Sequence, residues 1–73
     1  MSDHVIRVAA ITVSDTRTPA DDEGGARLHE RLEAAGFSVT LRAIVRDEPD
    51  DLRAIFARVC DDDLADAIVS TGG

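Results

Sequence analysis

Lysine is absent from this chain, cysteine occurs once, and no apolar run comes near the ~20 residues that a membrane-spanning helix needs. Each absence excludes something. Without lysine the phosphate-binding loop G-x-x-x-x-G-K-[ST] cannot be written. With Cys60 alone there is no internal disulfide framework, so a reducing cytoplasm is the default compartment. The start Met1-Ser2-Asp3-His4 lacks the basic opening of a signal peptide. Internal repeats and low-complexity segments are also missing.

What is present is a globular composition. The 73 residues are 44% hydrophobic and 32% charged, with a formal charge of −7. One domain at most fits this length, and such a domain buries about 60% of the surface its unfolded chain exposes. All eight basic residues are arginine, and eleven of the fifteen acids are aspartate. That balance speaks against nucleic acid or an anionic membrane as partner. The expectation is a soluble cytoplasmic protein.

The run His4 to Ser14 is nearly continuous in apolar, β-branched residues, as in a central parallel strand covered on both faces. A polar loop, Asp15 to Ala20, follows it. Asp21 and Asp22 are candidate N-caps for a helix running to about Ala35. Its apolar stripe is Leu28, Leu32 and Ala35, and Glu23 and Arg27 are spaced as an i, i+4 pair on the other side. Gly36 falls where a left-handed C-terminal cap belongs. Gly24 and Gly25 sit in the first turn, where glycine costs up to about 1 kcal/mol, so close backbone approach is expected there.

From Phe37 to Val45 the pattern alternates. Val39, Leu41, Ala43 and Val45 share one face, Ser38, Thr40 and Arg42 the other, and Ile44 breaks the rule; this predicts a half-exposed strand near the sheet edge. After the loop Arg46-Asp47-Glu48-Pro49, a second helix starts around Asp50, with Leu52, Ile55, Phe56 and Val59 at i, i+3, i+4 and i+7. Asp61-Asp62-Asp63 reads as a solvated loop, because three carboxylates face the negative end of the helix dipole. Ala67 to Thr71 is a short, buried strand closed by Gly72-Gly73. The order β-α-β-α-β predicts an α/β fold with a parallel sheet and right-handed crossovers. Three strands and two helices are expected to cover one sheet face only. More structure is therefore expected beyond Gly73, with residues 1–73 forming the N-terminal part of a single domain.

Parallel strands deliver the loops that follow them to one edge of the sheet, where α/β proteins bind ligands. Three loops meet there: Ser14-Asp15-Thr16, Arg46-Asp47-Glu48 and Ser70-Thr71-Gly72-Gly73. Hydroxyls, carboxylates, an arginine and glycine N–H groups on one rim suit a phosphate. Carboxylates beside phosphates suit Mg²⁺, which takes one or two carboxylates together with phosphate oxygens. Each loop also has an ordinary reading as a turn, and their convergence favours the functional one. His4 and His29 are expected to face solvent, without metal-ligand spacing, and Cys60 to be a small, partly buried thiol. The dinucleotide fingerprint G-x-G-x-x-G is not found after the first strand, and a phospho-acceptor aspartate does not end the third.

The strings Ile11-Thr12-Val13-Ser14-Asp15-Thr16-Arg17-Thr18, Asp21-Asp22 leading to Gly25, Ile44-Val45-Arg46-Asp47-Glu48 and Val69-Ser70-Thr71-Gly72-Gly73 resemble the MoaB/MogA proteins of molybdenum-cofactor biosynthesis. The resemblance covers essentially the whole chain, in order, and the Ser-Asp-Thr-Arg-Thr string is nearer the MoaB branch. It implies a three-layer α/β/α molybdopterin-binding fold, assembled as a homotrimer or homohexamer. It further implies a Mg²⁺- and ATP-dependent adenylylation of molybdopterin that releases pyrophosphate. Carried over by position, Asp47 matches the family's catalytic and metal-site carboxylate. Thr71, Gly72 and Gly73 match the start of its T-G-G-T-G loop for the pterin phosphate or nucleotide, and Ser14 and Asp15 line the same pocket. The remainder of that loop and the later Asp-x-Thr-Pro motif are not in this sequence. The alternative is a non-catalytic pterin- or nucleotide-binding or oligomerisation domain of the same fold.

Overall fold

The computed structural model describes residues 5–16 and 18–72; Arg17, His4 and Gly73, singled out above, lie outside them. Its elements are β1 (Arg7–Val13), a 3₁₀ turn (Pro19–Asp21), α1 (Glu23–Ala34), β2 (Ser38–Val45), α2 (Pro49–Asp61) and β3 (Ala67–Gly72). All strand pairs are parallel and the strand order is β2-β1-β3, so β1 is central. Consistent with its unbroken apolar run, Val8, Ala9, Ala10 and Ile11 are at most 3% exposed.

The strand order corrects the expectation that the two helices cover one face. The chain steps from β1 to β2 in one direction and from β2 past β1 to β3 in the other. Right-handed crossovers then place the connecting helices on opposite faces. Side chains confirm it, because successive residues of β1 point to opposite sides. Ala9 and Ile11 pack with Val59 of α2, joined by Leu41, Ala43, Val45, Ile55 and Ile68. Thr12, on the other side, meets Asp22 and Gly25 at the start of α1. These are three layers with one strand buried from both sides. Among the described residues β2 and β3 are edges, and β3 is half-buried rather than buried as its composition had predicted.

The helix termini follow local chemistry. Asp22 caps α1 by accepting the Gly25 N–H at 3.0 Å. Asp21 belongs instead to the preceding turn, where its carboxylate accepts the Thr18 N–H at 2.7 Å. Gly36 adopts φ 95°, which ends α1 at little cost to a residue without Cβ. Pro49 is the first residue of α2, not part of the loop before it, since its missing N–H is not needed there.

Other departures are tertiary. Between Val8 and Ala9 the β1–β2 register shifts, so that Thr40 is the extra residue and Val39 pairs with Val8, on the α1 side. That bulge removes Val39 from the face shared by Leu41, Ala43 and Val45. Phe56, at the edge of the α2 stripe, stays 41% exposed. Cys60 is exposed, not partly buried, and His29 is half-buried. The expected Glu23–Arg27 pair is not among the ion pairs of the described residues. The run Asp61 to Asp63 is more than a solvated loop: Asp63, at φ 51°, and Asp66 clamp Arg7. The Arg7 guanidinium donates to Asp63 Oδ1 at 2.8 Å, to the Asp63 carbonyl at 2.8 Å and to Asp66 Oδ1 at 2.9 Å. This fork ties the start of β1 to the approach of β3. No helix among the described residues is long and apolar enough to cross a membrane.

Candidate functional site

The strand order sets the order of loops along the carboxyl edge: Asp47 after β2, Asp15 after β1, and Gly72 at the end of β3. Val13 pairs with Val45 on one side and Gly72 on the other, so all three lie at the same end of the sheet. Had the strands run antiparallel, Asp15 and Asp47 would have been at opposite ends.

Two hydrogen bonds fasten the first two loops together. The Ser14 N–H donates to the Val45 carbonyl at 2.9 Å, extending the ladder one residue past β1. The Asp47 N–H donates to Asp15 Oδ1 at 3.0 Å. Ser14 itself is buried, 6% exposed, and its Oγ accepts the Thr16 N–H at 3.3 Å. Ser14 is therefore a turn-forming residue as well as a rim residue. Asp15 and Asp47 are exposed. Thr71 is half-buried and pairs with Thr12, which puts its side chain on the α1 face. Gly72 is exposed with open space where a Cβ would be. The structure thus brings Ser14, Asp15, Asp47, Thr71 and Gly72 to one rim.

Beneath the rim lies a buried carboxylate that the sequence reading had treated as a helix cap alone. The Asp22 side chain is 4% exposed. Its carboxylate accepts the Thr12 hydroxyl (2.9 Å to Oδ2), the Gly25 N–H (3.0 Å to Oδ1) and an Arg42 Nη2–H (3.3 Å to Oδ2). Burial alone would raise its pKa, but those three donors together hold the carboxyl below its ordinary value. Thr12 is the last residue of β1 on the α1 side and Gly25 lies in the first turn of α1. Asp22 therefore fixes where α1 begins relative to the strand that carries Ser14 and Asp15. The sequence signal was the spacing Asp22-x-x-Gly25, which by itself says cap and nothing of Thr12 or Arg42.

Gly25 answers why a glycine pair opens α1. A Cβ there would lie 2.7 Å from Asp22 Cγ and 2.8 Å from Thr12 Oγ1. Gly24 has open space around it. A cavity of about 280 Å³ lies beside this cluster, lined by Pro19, Asp22, Arg42, Ala43 and Ile44. A second, of about 250 Å³, lies between α1 and the end of β3.

Among the described residues no three of His, Cys, Asp and Glu come together as a metal cage. Two rim carboxylates, one of them already accepting a backbone N–H, do match a cation that completes its shell with phosphate oxygens and water.

The family model described as "Probable molybdopterin binding domain" matches residues 9–73. The chain is 39% identical over 69 residues to a "Molybdenum cofactor biosynthesis protein B" of Bacillus subtilis, covering 94% of this chain and 41% of that protein. A protein of the same name from Staphylococcus carnosus is 36% identical over 73 residues, covering 97% and 42%. A crystal structure of a molybdenum cofactor biosynthesis protein B superimposes with a TM-score of 0.86 at 30% identity, over 96% of this chain and 44% of that one. The chain spans about two fifths of the length of the curated relatives it matches.

Proposed function

Since the chain belongs to the molybdopterin-binding domain family, we propose that its carboxyl-edge rim binds molybdopterin, a phosphorylated pterin, for molybdenum-cofactor biosynthesis. One observation carries the reading: the loops after three parallel strands share an edge, and the Asp47 N–H bond to Asp15 holds two of them as a unit. On that rim the Thr71 hydroxyl and the backbone of Gly72 are available to the phosphate, because nothing stands where a Gly72 Cβ would be. Ser14 and Asp15, in the loop after β1 on the same rim, would flank the bound ligand.

The finer proposal is adenylylation with Mg-ATP. A pterin phosphate oxygen attacks the ATP α-phosphorus, a new P–O–P bond forms, and the bond to the β-phosphate breaks to release pyrophosphate. The two phosphates repel one another, so the main demands are positioning and charge neutralisation. Asp47, with Asp15 beside it, would hold Mg²⁺, which when bound neutralises the phosphate charge that accumulates. Asp47 has no proton to remove in this reaction. Its part would be to hold the cation beside the phosphates, and the bond from its own N–H to Asp15 fixes its backbone.

The second reading is a non-catalytic pterin-binding module. Incubation with molybdopterin, ATP and Mg²⁺ separates the two readings by the appearance of adenylylated pterin. For the catalytic reading, Asp47→Asn should abolish most turnover while leaving molybdopterin binding and the urea unfolding midpoint near those of the parent. Near-parental turnover in that variant refutes the role of Asp47, and failure of the parent to bind molybdopterin at all refutes the broader reading.

A further inference from the structure

In a chain with nearly twice as many acids as arginines, an arginine without a carboxylate partner is unusual. Arg7, Arg42, Arg46, Arg53 and Arg58 each lie within 4.0 Å of an aspartate oxygen. Among the described residues, Arg27 and Arg31 alone have no such partner. They are four residues apart on α1 and so lie one above the other on the same side of the helix. Like charges at this spacing repel and weaken a helix by a few tenths of a kcal/mol unless something of opposite charge lies between them.

The two arginines also share a cavity. They line the cleft of about 250 Å³ between α1 and the end of β3, together with Gly24, Leu28 and Thr71. Thr71 provides a hydroxyl at its rim end, and Leu28 an apolar wall. Gly24 leaves the first turn of α1 open to close approach. Two guanidinium groups and a hydroxyl around an open cleft match the oxygens of a phosphoryl group, which arginine binds in a fork.

We propose that this cleft is an anion subsite in which Arg27 and Arg31, with the Thr71 hydroxyl, hold a phosphate-bearing ligand. Because Thr71 belongs both to this cleft and to the rim, the subsite takes the phosphate end of the ligand whose remainder occupies the rim. The inference rests on the molybdopterin reading for the identity of that ligand, and on geometry alone for its charge. A phosphate monoester and a nucleotide polyphosphate both have the required chemistry.

The test uses inorganic phosphate and inorganic pyrophosphate as probes, titrated into the ¹⁵N-labelled chain at low ionic strength. Saturable shifts at the amides of Gly24, Arg27, Leu28, Arg31 and Thr71 are expected. Tighter binding of pyrophosphate assigns the cleft to a polyphosphate, and tighter binding of phosphate to a monoester. In Arg27→Gln and Arg31→Gln the affinity should fall about tenfold for each charge removed, as for hydrogen bonds to charged groups. Arg53→Gln, on α2 across the sheet, should bind like the parent. Absence of shifts at the cleft in the parent chain overturns the proposal whether or not the variants fold, as does undiminished affinity in the double variant. Either failure leaves the molybdopterin reading standing, since that is measured with the pterin and Asp47→Asn. Conversely, capture of pyrophosphate by the arginine pair persists even if molybdopterin does not bind.

Discussion

Replacing Gly25 by alanine and Gly24 by alanine, one residue apart in the same turn, should shift stability in opposite directions. An alanine in place of glycine raises helix propensity by up to about 1 kcal/mol at either position. At Gly24 nothing opposes that gain, because the new methyl enters open space. At Gly25 the methyl would lie 2.7 Å from Asp22 Cγ and 2.8 Å from Thr12 Oγ1, well inside contact distance. A flexible side chain could retreat cheaply, but Asp22 is held by three donors and Thr12 is 2% exposed in the central strand. Forcing Asp22 out loses the cap, about 1 kcal/mol, and strands a buried hydroxyl, about 1–3 kcal/mol. Against the propensity gain, the net destabilisation is about 1–3 kcal/mol. With a urea dependence of about 1 kcal/mol per molar for so small a chain, the midpoint should fall by about 1–3 M in Gly25→Ala and rise by up to about 1 M in Gly24→Ala. Circular dichroism at 222 nm through a urea series measures both. If the two variants shift the midpoint in the same direction, the packing argument at Asp22 fails.

Further outcomes follow from the charged groups. The Asp22 carboxyl titrates below its ordinary value, so the native state favours its ionised form. The stability this adds is present above the unfolded carboxylate value of about 4 and is lost as pH falls through the lower folded value. Asp22→Asn should therefore be less stable at neutral pH and show a flatter acid limb in urea midpoints taken across that window. A parental acid limb in this variant would assign the titration elsewhere. Arg7→Gln should lower the urea midpoint only modestly: its side chain is 34% exposed, so screening weakens the ion pairs, while the bond to the Asp63 carbonyl is less affected. Hydrogen exchange should quicken at the Arg7 and Asp66 amides in that variant, and unchanged protection there would mean the clamp contributes nothing.

The elements themselves were legible because their signals are local. The unbroken apolar run of β1, the 3.6-residue stripe of α2 and the glycine that ends α1 are all set within a few residues. The rim could be inferred as well, since parallel strands deliver their trailing loops to one edge, and Asp15, Asp47 and Gly72 do lie there. The strings Ser14 to Thr18 and Val69 to Gly72 also point to the family that the chain belongs to.

What the sequence left open depends on contacts between residues far apart in the chain. Covering of β1 from both faces required the order β2-β1-β3, because reversal of direction across the central strand moves the second helix to the other side. The bulge at Thr40, which moves Val39 to the α1 side, follows from how β2 registers against β1 and leaves no mark in the alternation of its own residues. Asp22 reads as a helix cap until β1 and β2 bring Thr12 and Arg42 to it. The same holds for Asp63 and Arg7, 56 residues apart, whose charges announce no partner until β3 is laid against β1. Periodicity records which side of an element is apolar; it carries no information about which element arrives to cover it, and that is settled when the sheet assembles.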